Sequence, residues 1–143
     1  MSNVYARNRK ETKLQFMINA IELQKDIVKT ILREKVVPKK YRLMLGTDII
    51  RKINELIDNL TYANNIFVTN EELLINRLLY QEQAKSNCYQ LQNLLICLTN
   101  CVDTFKNEDC TKFIDRIAHE IELINGWINS NKIQKDKKNK NQD

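Results

Sequence analysis

The sequence predicts an all-α protein, an antiparallel up-down-up-down four-helix bundle, and three observations carry that prediction. Two glycines and one proline in 143 residues leave too little turn chemistry for a sheet built from many hairpins. Apolar residues recur at three- and four-residue steps, the helical period. The length is one domain's worth, enough to bury a core, and short connections between the periodic segments favour antiparallel neighbours.

Residues 1–10 are polar and are expected to be disordered, with the bundle domain over 11–130. Helix one is expected over about 11–35, with Leu14, Met17, Ile18, Ile21, Val28, Ile31 and Leu32 on its buried stripe and Gln24 and Lys25 interrupting it. Val36-Val37-Pro38 ends it, because the residue before a proline is pushed out of the α region and proline suits a first helical turn. Helix two is expected over about 39–67, on a seam of Leu45, Ile49, Ile53, Leu56, Leu60, Ala63 and Phe67 that Ile50 and Ile57 widen. Gly46 lies inside it at a cost of about 1 kcal/mol against alanine, which marks either a close approach of a neighbouring element or no structural demand at all.

Thr69-Asn70-Glu71-Glu72 reads as a capping box with Thr69 as cap. Helix three follows to about residue 105 along Leu74, Leu78, Cys88, Leu91, Leu95, Leu98, Val102 and Phe105. Its middle, Gln81 to Asn87, is polar and is expected to face solvent or another subunit. Asn107-Glu108-Asp109 starts helix four, with acids in the first turn where they suit the helix dipole. Phe113, Ile117, Ile121, Ile124 and Ile128 carry it to about residue 130, with Trp127 beside the stripe. Residues 131–143 are rich in Lys, Asn and Gln and are expected to form a disordered basic tail.

Charge is unevenly placed. The net +5 comprises +3 over residues 1–13, 0 over 14–32, +5 over 33–52, −6 over 53–131 and +3 over 132–143. A cationic first junction on an otherwise acidic body suits an anionic partner, or serves solubility alone. No apolar run after Met1 resembles a signal peptide, and none approaches the roughly 18 residues of a membrane span. The expected setting is cytoplasmic, without membrane attachment and with Cys88, Cys97, Cys101 and Cys110 reduced.

No nucleophile elbow, phosphate loop or metalloprotease helix is present. The single histidine, His119, stands beside Glu120 and nine residues from Cys110, which puts the two on different helix faces. The expectation is no enzyme. Cys97 and Cys101 are one helical turn apart but lack the second ligand pair of a zinc site, so neither metal nor cofactor is expected. The constellation with a functional lean is the basic cluster Arg33, Lys35, Lys39, Lys40, Arg42, Arg51 and Lys52, with Tyr41 interleaved, a candidate surface for phosphates or another anionic partner.

The segment Pro38-Lys39-Lys40-Tyr41-Arg42-Leu43-Met44-Leu45-Gly46-Thr47-Asp48-Ile49 resembles the P-K-x-x-R-x-x-L-G-x-x-I stretch of the accessory variability determinant family. These are the four-helix-bundle accessory proteins of diversity-generating retroelements. Leu91-Gln92-Asn93-Leu94-Leu95-Ile96 is a second likeness, and Ile124-Asn125-Gly126-Trp127-Ile128 is similar to the family's closing L-G-G-W-L. The resemblance covers about residues 13–131 and implies a homopentameric barrel that associates with a reverse transcriptase and with template RNA or cDNA. It gives Pro38, Arg42, Gly46, Gly126 and Trp127 the motif positions. The chain departs from the family in having no cation between Cys88 and Phe105, and Glu122 and a single glycine before Trp127. The alternative is an oligomeric protein-binding scaffold like the bundle proteins of ribosomal-RNA intervening sequences, whose motif after the first turn this chain lacks.

Overall fold

A computed structural model describes the backbone of residues 14–142 and the side chains of residues 14–131. The chain is all-helical, and the described residues contain no strand. Helix α1 spans Gln15–Ile31. After a turn, the α-turn Lys39–Tyr41 and a π-turn Arg42–Gly46 lead into α2, Thr47–Asn65. Helix α3 spans Glu71–Cys101 and α4 spans Asn107–Gln142. Each of α1 and α3 packs on both α2 and α4, so α1 and α3 stand at opposite corners of the bundle.

The face that α1 buries differs from the expected one. Phe16, Ala20, Leu23 and Ile27 enter the core together with the expected Ile31, whereas Leu14, Ile18, Ile21 and Leu32 are exposed and Met17 and Val28 half-buried. The helix carries two apolar stripes, and the one with the aromatic ring and the small Ala20 fits between α2 and α4. It also ends at Ile31 rather than near Lys35, since Arg33 to Val37 turn early through bonds to the Arg33 carbonyl. The expected start at 11 and the disorder over 1–10 lie outside the described residues.

In α2, Ile49, Ile53, Leu56, Leu60 and Ala63 are buried, flanked by half-buried Leu45, Ile50 and Ile57. Phe67 lies past the end of that helix and is 83% exposed, so it is no part of the seam. The cap of α3 is Asn70, whose Oδ1 accepts from the Leu73 amide at 2.9 Å, and not Thr69. Helix α3 stops at Cys101, and Val102 and Phe105 reach the core from the following turn.

The polar middle of α3 is partly internal. Gln81 and Asn87 are buried, the latter accepting from Asn59 at 2.7 Å and donating to Glu55 at 3.2 Å across to α2. In α4 the stripe Phe113, Ile117, Ile121, Ile124 and Ile128 is buried as expected, joined by Cys110 and by a fully buried Glu120. The helix continues through Gln142 where a disordered tail is expected from residue 131, because neither glycine nor proline follows Gly126 to stop it.

Candidate functional site

The junction between α1 and α2 is built around Glu34 and Pro38. Pro38 (φ −57°, ψ 150°) sets the chain in extended geometry just before the helix, and its carbonyl accepts from the amides of Tyr41 at 2.9 Å and Arg42 at 3.3 Å. Glu34 then holds two groups at once. Its Oε1 accepts from the Lys39 amide at 3.3 Å, a free first-turn donor, and its Oε2 pairs with the Arg42 guanidinium. Val37 is buried beneath, and the Thr104 hydroxyl donates to the Val36 carbonyl at 2.7 Å, tying the turn between α3 and α4 to the same end.

The π-turn has a physical cause nearby. A Cβ on Gly46 would stand 2.8 Å from Ile31 Cγ2, so the glycine is needed where α2 crosses the end of α1. The wider turn, closed by the Thr47 amide on the Arg42 carbonyl, absorbs an extra residue there. It leaves Leu43 74% and Met44 76% exposed. Nothing in the sequence sets this outward pair apart, because an i, i+3, i+4 pattern does not reveal a π-turn.

The seven sequence-predicted cations divide. Arg42 is paired with Glu34, Arg51 with Asp48, and Lys52 with Glu55 at 3.0 Å. Lys40 lies over its neighbour's ring, 4.8 Å from the Tyr41 centroid. Arg33, Lys35 and Lys39 are exposed and, like Lys40, make no ion pair among the described residues. The cationic surface therefore narrows to Arg33, Lys35, Lys39 and Lys40, all within the turn itself. Arg33 also borders a groove of about 440 Å³ between α1 and α4, with Asp26, Asp109, Lys112 and Arg116; Asp26 and Arg116 pair there at 2.9 Å. Mixed signs in that groove do not extend the anion-attracting surface.

Of the resemblance positions, Trp127 is half-buried, stacked on Phe16 with centroids 4.1 Å apart, and Gly126 has nothing within 4 Å of where a Cβ would stand. His119 is exposed, 3.8 Å from Glu122. All four cysteines are free. Burial pushes the Cys88 thiol up, with the Glu120 charge adding to it, and burial likewise raises Cys110. Raised thiols hold little thiolate, the nucleophilic and metal-binding form. No helix among the described residues is long and apolar enough to cross a membrane.

Compared with known proteins, the chain matches no family model, no curated protein and no solved structure.

Proposed function

We propose that this chain is a non-enzymatic accessory protein of a diversity-generating retroelement. It would associate in the cytoplasm with the reverse transcriptase and with template RNA or cDNA during mutagenic retrohoming. The observation that carries the reading is the motif junction itself. Pro38, Arg42 and Gly46 each have a definite local task there, and the turn they shape presents four cations that make no ion pair among the described residues. Such a surface binds phosphates without reading sequence.

The side-chain pairings support the antiparallel course. Gln24 meets Asn54 and Gly46 lies by Ile31; Asn59 meets Asn87 and Arg77 meets Ala63; Gln92 meets Ile114 and Thr99 meets Asn107. In each pair of helices one number rises as the other falls. Outward apolar residues support assembly: Ile18 and Ile21 on α1 with Leu14 and Leu32 at its two ends, and Ile75, Leu79, Tyr89 and Ile96 on α3. Two unlike stripes on opposite corners suit a head-to-tail contact, which closes into a ring when the rotation allows. Five subunits is the number the family resemblance implies.

Light scattering together with co-purification alongside any reverse transcriptase encoded beside the gene tests the reading. A ring-sized particle that retains the transcriptase is expected. A monomer that retains none overturns it.

A second reading, a protein-binding scaffold like the ribosomal-RNA intervening-sequence proteins with no direct nucleic-acid role, is favoured by one observation. Arg42, Arg51 and Lys52 are already neutralised by carboxylates of the same chain. A ring that shows no salt-dependent RNA binding is the outcome that selects it.

A further inference from the structure

The last turn of α3 carries Cys97 and Cys101, a pair that the accessory reading does not use. They are four residues apart on a continuous helix that ends at Cys101, the spacing that brings side chains over one another at about 5–6 Å between Cβ atoms. Both are free; Cys97 is half-buried and Cys101 exposed. Burial raises Cys97, and the Cys101 thiol one helical turn on adds to it. The remaining thiols are sealed away: Cys88 and Cys110 lie in the core, and Cys110 donates to the Leu95 carbonyl at 3.5 Å. The protein thus offers solvent two adjacent thiols out of four.

The surroundings define what such a pair takes. No Lys, Arg or His lies between Cys88 and Phe105, and a helix C-terminus disfavours negative charge. Burial raises Cys97, which leaves it little thiolate for attack as a lone nucleophile. A tetrahedral zinc ion is poorly served, since no group of three or more His, Cys, Asp or Glu gathers among the described residues. What remains is a soft centre satisfied by two sulfurs.

We propose that Cys97 and Cys101 form a bidentate dithiol site for small thiophilic centres that need two sulfur ligands, the trivalent organoarsenicals being the representative class. With phenylarsine oxide the step balances without an oxidant. Two S–H bonds and the As=O bond give two As–S bonds and one water, and arsenic stays trivalent. The closed ring would span one helical turn.

The test is a titration of the full-length folded protein with phenylarsine oxide, read by intact mass and by the thiols left open to a thiol reagent. One adduct per chain is expected, with loss of one water and simultaneous protection of both accessible thiols. Cys97→Ser and Cys101→Ser should each weaken binding by about a hundredfold or more, because chelation becomes single-point attachment. Cys88→Ala should bind as the parent does. Cys101 is exposed, so Cys101→Ser tests the pair even where Cys97→Ser perturbs folding. No adduct at one equivalent, a serine variant that binds as tightly as the parent, or loss of binding on Cys88→Ala would each overturn the site.

Discussion

The two ends of the bundle are each held by an arginine, and they are held in opposite ways. At the end where α1 meets α2, Arg42 pairs with Glu34, whose side chain is 65% exposed, and the lysines around them stay open to water. At the other end Arg77 of α3 reaches under the close of α2. Its Nε donates to the Ala63 carbonyl at 3.2 Å, another nitrogen donates to the Ile66 carbonyl, and Nη1 approaches Asn131 at 3.4 Å. The guanidinium also lies over the Trp127 ring, which stacks on Phe16. One arginine thus ties down the carbonyls that close α2 in partial burial, and the other braces a solvated turn. The difference separates a structural end from one kept available, and it predicts unequal costs for changes that look alike in sequence.

The largest effect is expected in the interior that leads to the Arg77 end. Glu120 is fully buried, accepting from Asn19 at 2.6 Å with one oxygen, while its other oxygen has no partner among the described residues. Burial raises its carboxyl from 4.5 to about 8, against a smaller lowering by Asn19. The folded chain then holds a proton that the unfolded chain has released. Stability from this group is complete below pH 4.5 and is lost as pH rises towards about 8, at about 1.4 kcal/mol per pH unit. Glu120→Gln should keep the Asn19 contact and flatten the profile, so that the variant is the more stable protein at pH 8. Denaturation midpoints across pH 5–9 check this; parallel profiles for parent and variant would place the carboxylate in water.

Next come the two arginines. Arg77→Ala strips hydrogen bonds from the Ala63 and Ile66 carbonyls and uncovers Trp127, and is expected to cost about 2–4 kcal/mol. Burial lowers the Arg77 pKa, but a guanidinium stays charged, so the loss should be nearly independent of pH between 5 and 9. Arg42→Ala should cost about 1 kcal/mol, because the Glu34 side of the pair is open to water. Urea denaturation of both variants measures the gap. Equal losses would mean that the two ends are held alike.

How much of this was readable beforehand follows from where each signal resides. Helix existence and most of the α2 and α4 seams are local periodic facts, and Ile49, Ile53, Leu56, Ile117, Ile121 and Ile124 are where periodicity puts them. The buried face of α1 is not a local fact. Two stripes compete there, and only the partners α2 and α4 decide between Phe16-Ala20-Leu23 and Leu14-Ile18-Ile21. Glu120 was hidden for a related reason, since its polar neighbours His119 and Glu122 make it read as solvated. Within the basic cluster the spacing already held the answer for two members. Asp48 stands three residues before Arg51, and Glu55 three after Lys52, both within ion-pair reach on a helix. The π-turn and the double role of Glu34 left no periodic trace.

The two glycines give a smaller and more local contrast. Gly46→Ala forces a methyl to 2.8 Å from Ile31 Cγ2, on a β-branched side chain that is itself buried and has little freedom to turn away. Overpacking of about 1–3 kcal/mol should outweigh the helix-propensity gain of about 1 kcal/mol, leaving a net loss. Gly126→Ala meets nothing within 4 Å and should keep most of that gain. Melting temperatures that move down for the first and up for the second establish that one motif glycine is required by packing and the other is not.

The smallest effect on stability is expected at the open end, where the proposed function expects the largest effect on binding. Lys35, Lys39 and Lys40 are exposed and pair with no carboxylate among the described residues, so changing all three to glutamine should alter unfolding free energy by about 0.5 kcal/mol or less. The same change removes three candidate phosphate contacts. Each contact to single-stranded nucleic acid contributes about 0.7 to the slope of log affinity against log salt, so the triple variant should lose up to about 2 in slope. It should bind a labelled single-stranded RNA more weakly whatever its sequence. Arg51→Gln with Lys52→Gln is the matched control, because those cations are already occupied by Asp48 and Glu55. It should shift the slope much less. If both sets change the slope equally, the intramolecular pairs open on binding and the whole basic cluster takes part. If neither does, the cations of this end keep the protein in solution, and the turn that exposes Leu43 and Met44 beside them meets a protein rather than a phosphate backbone.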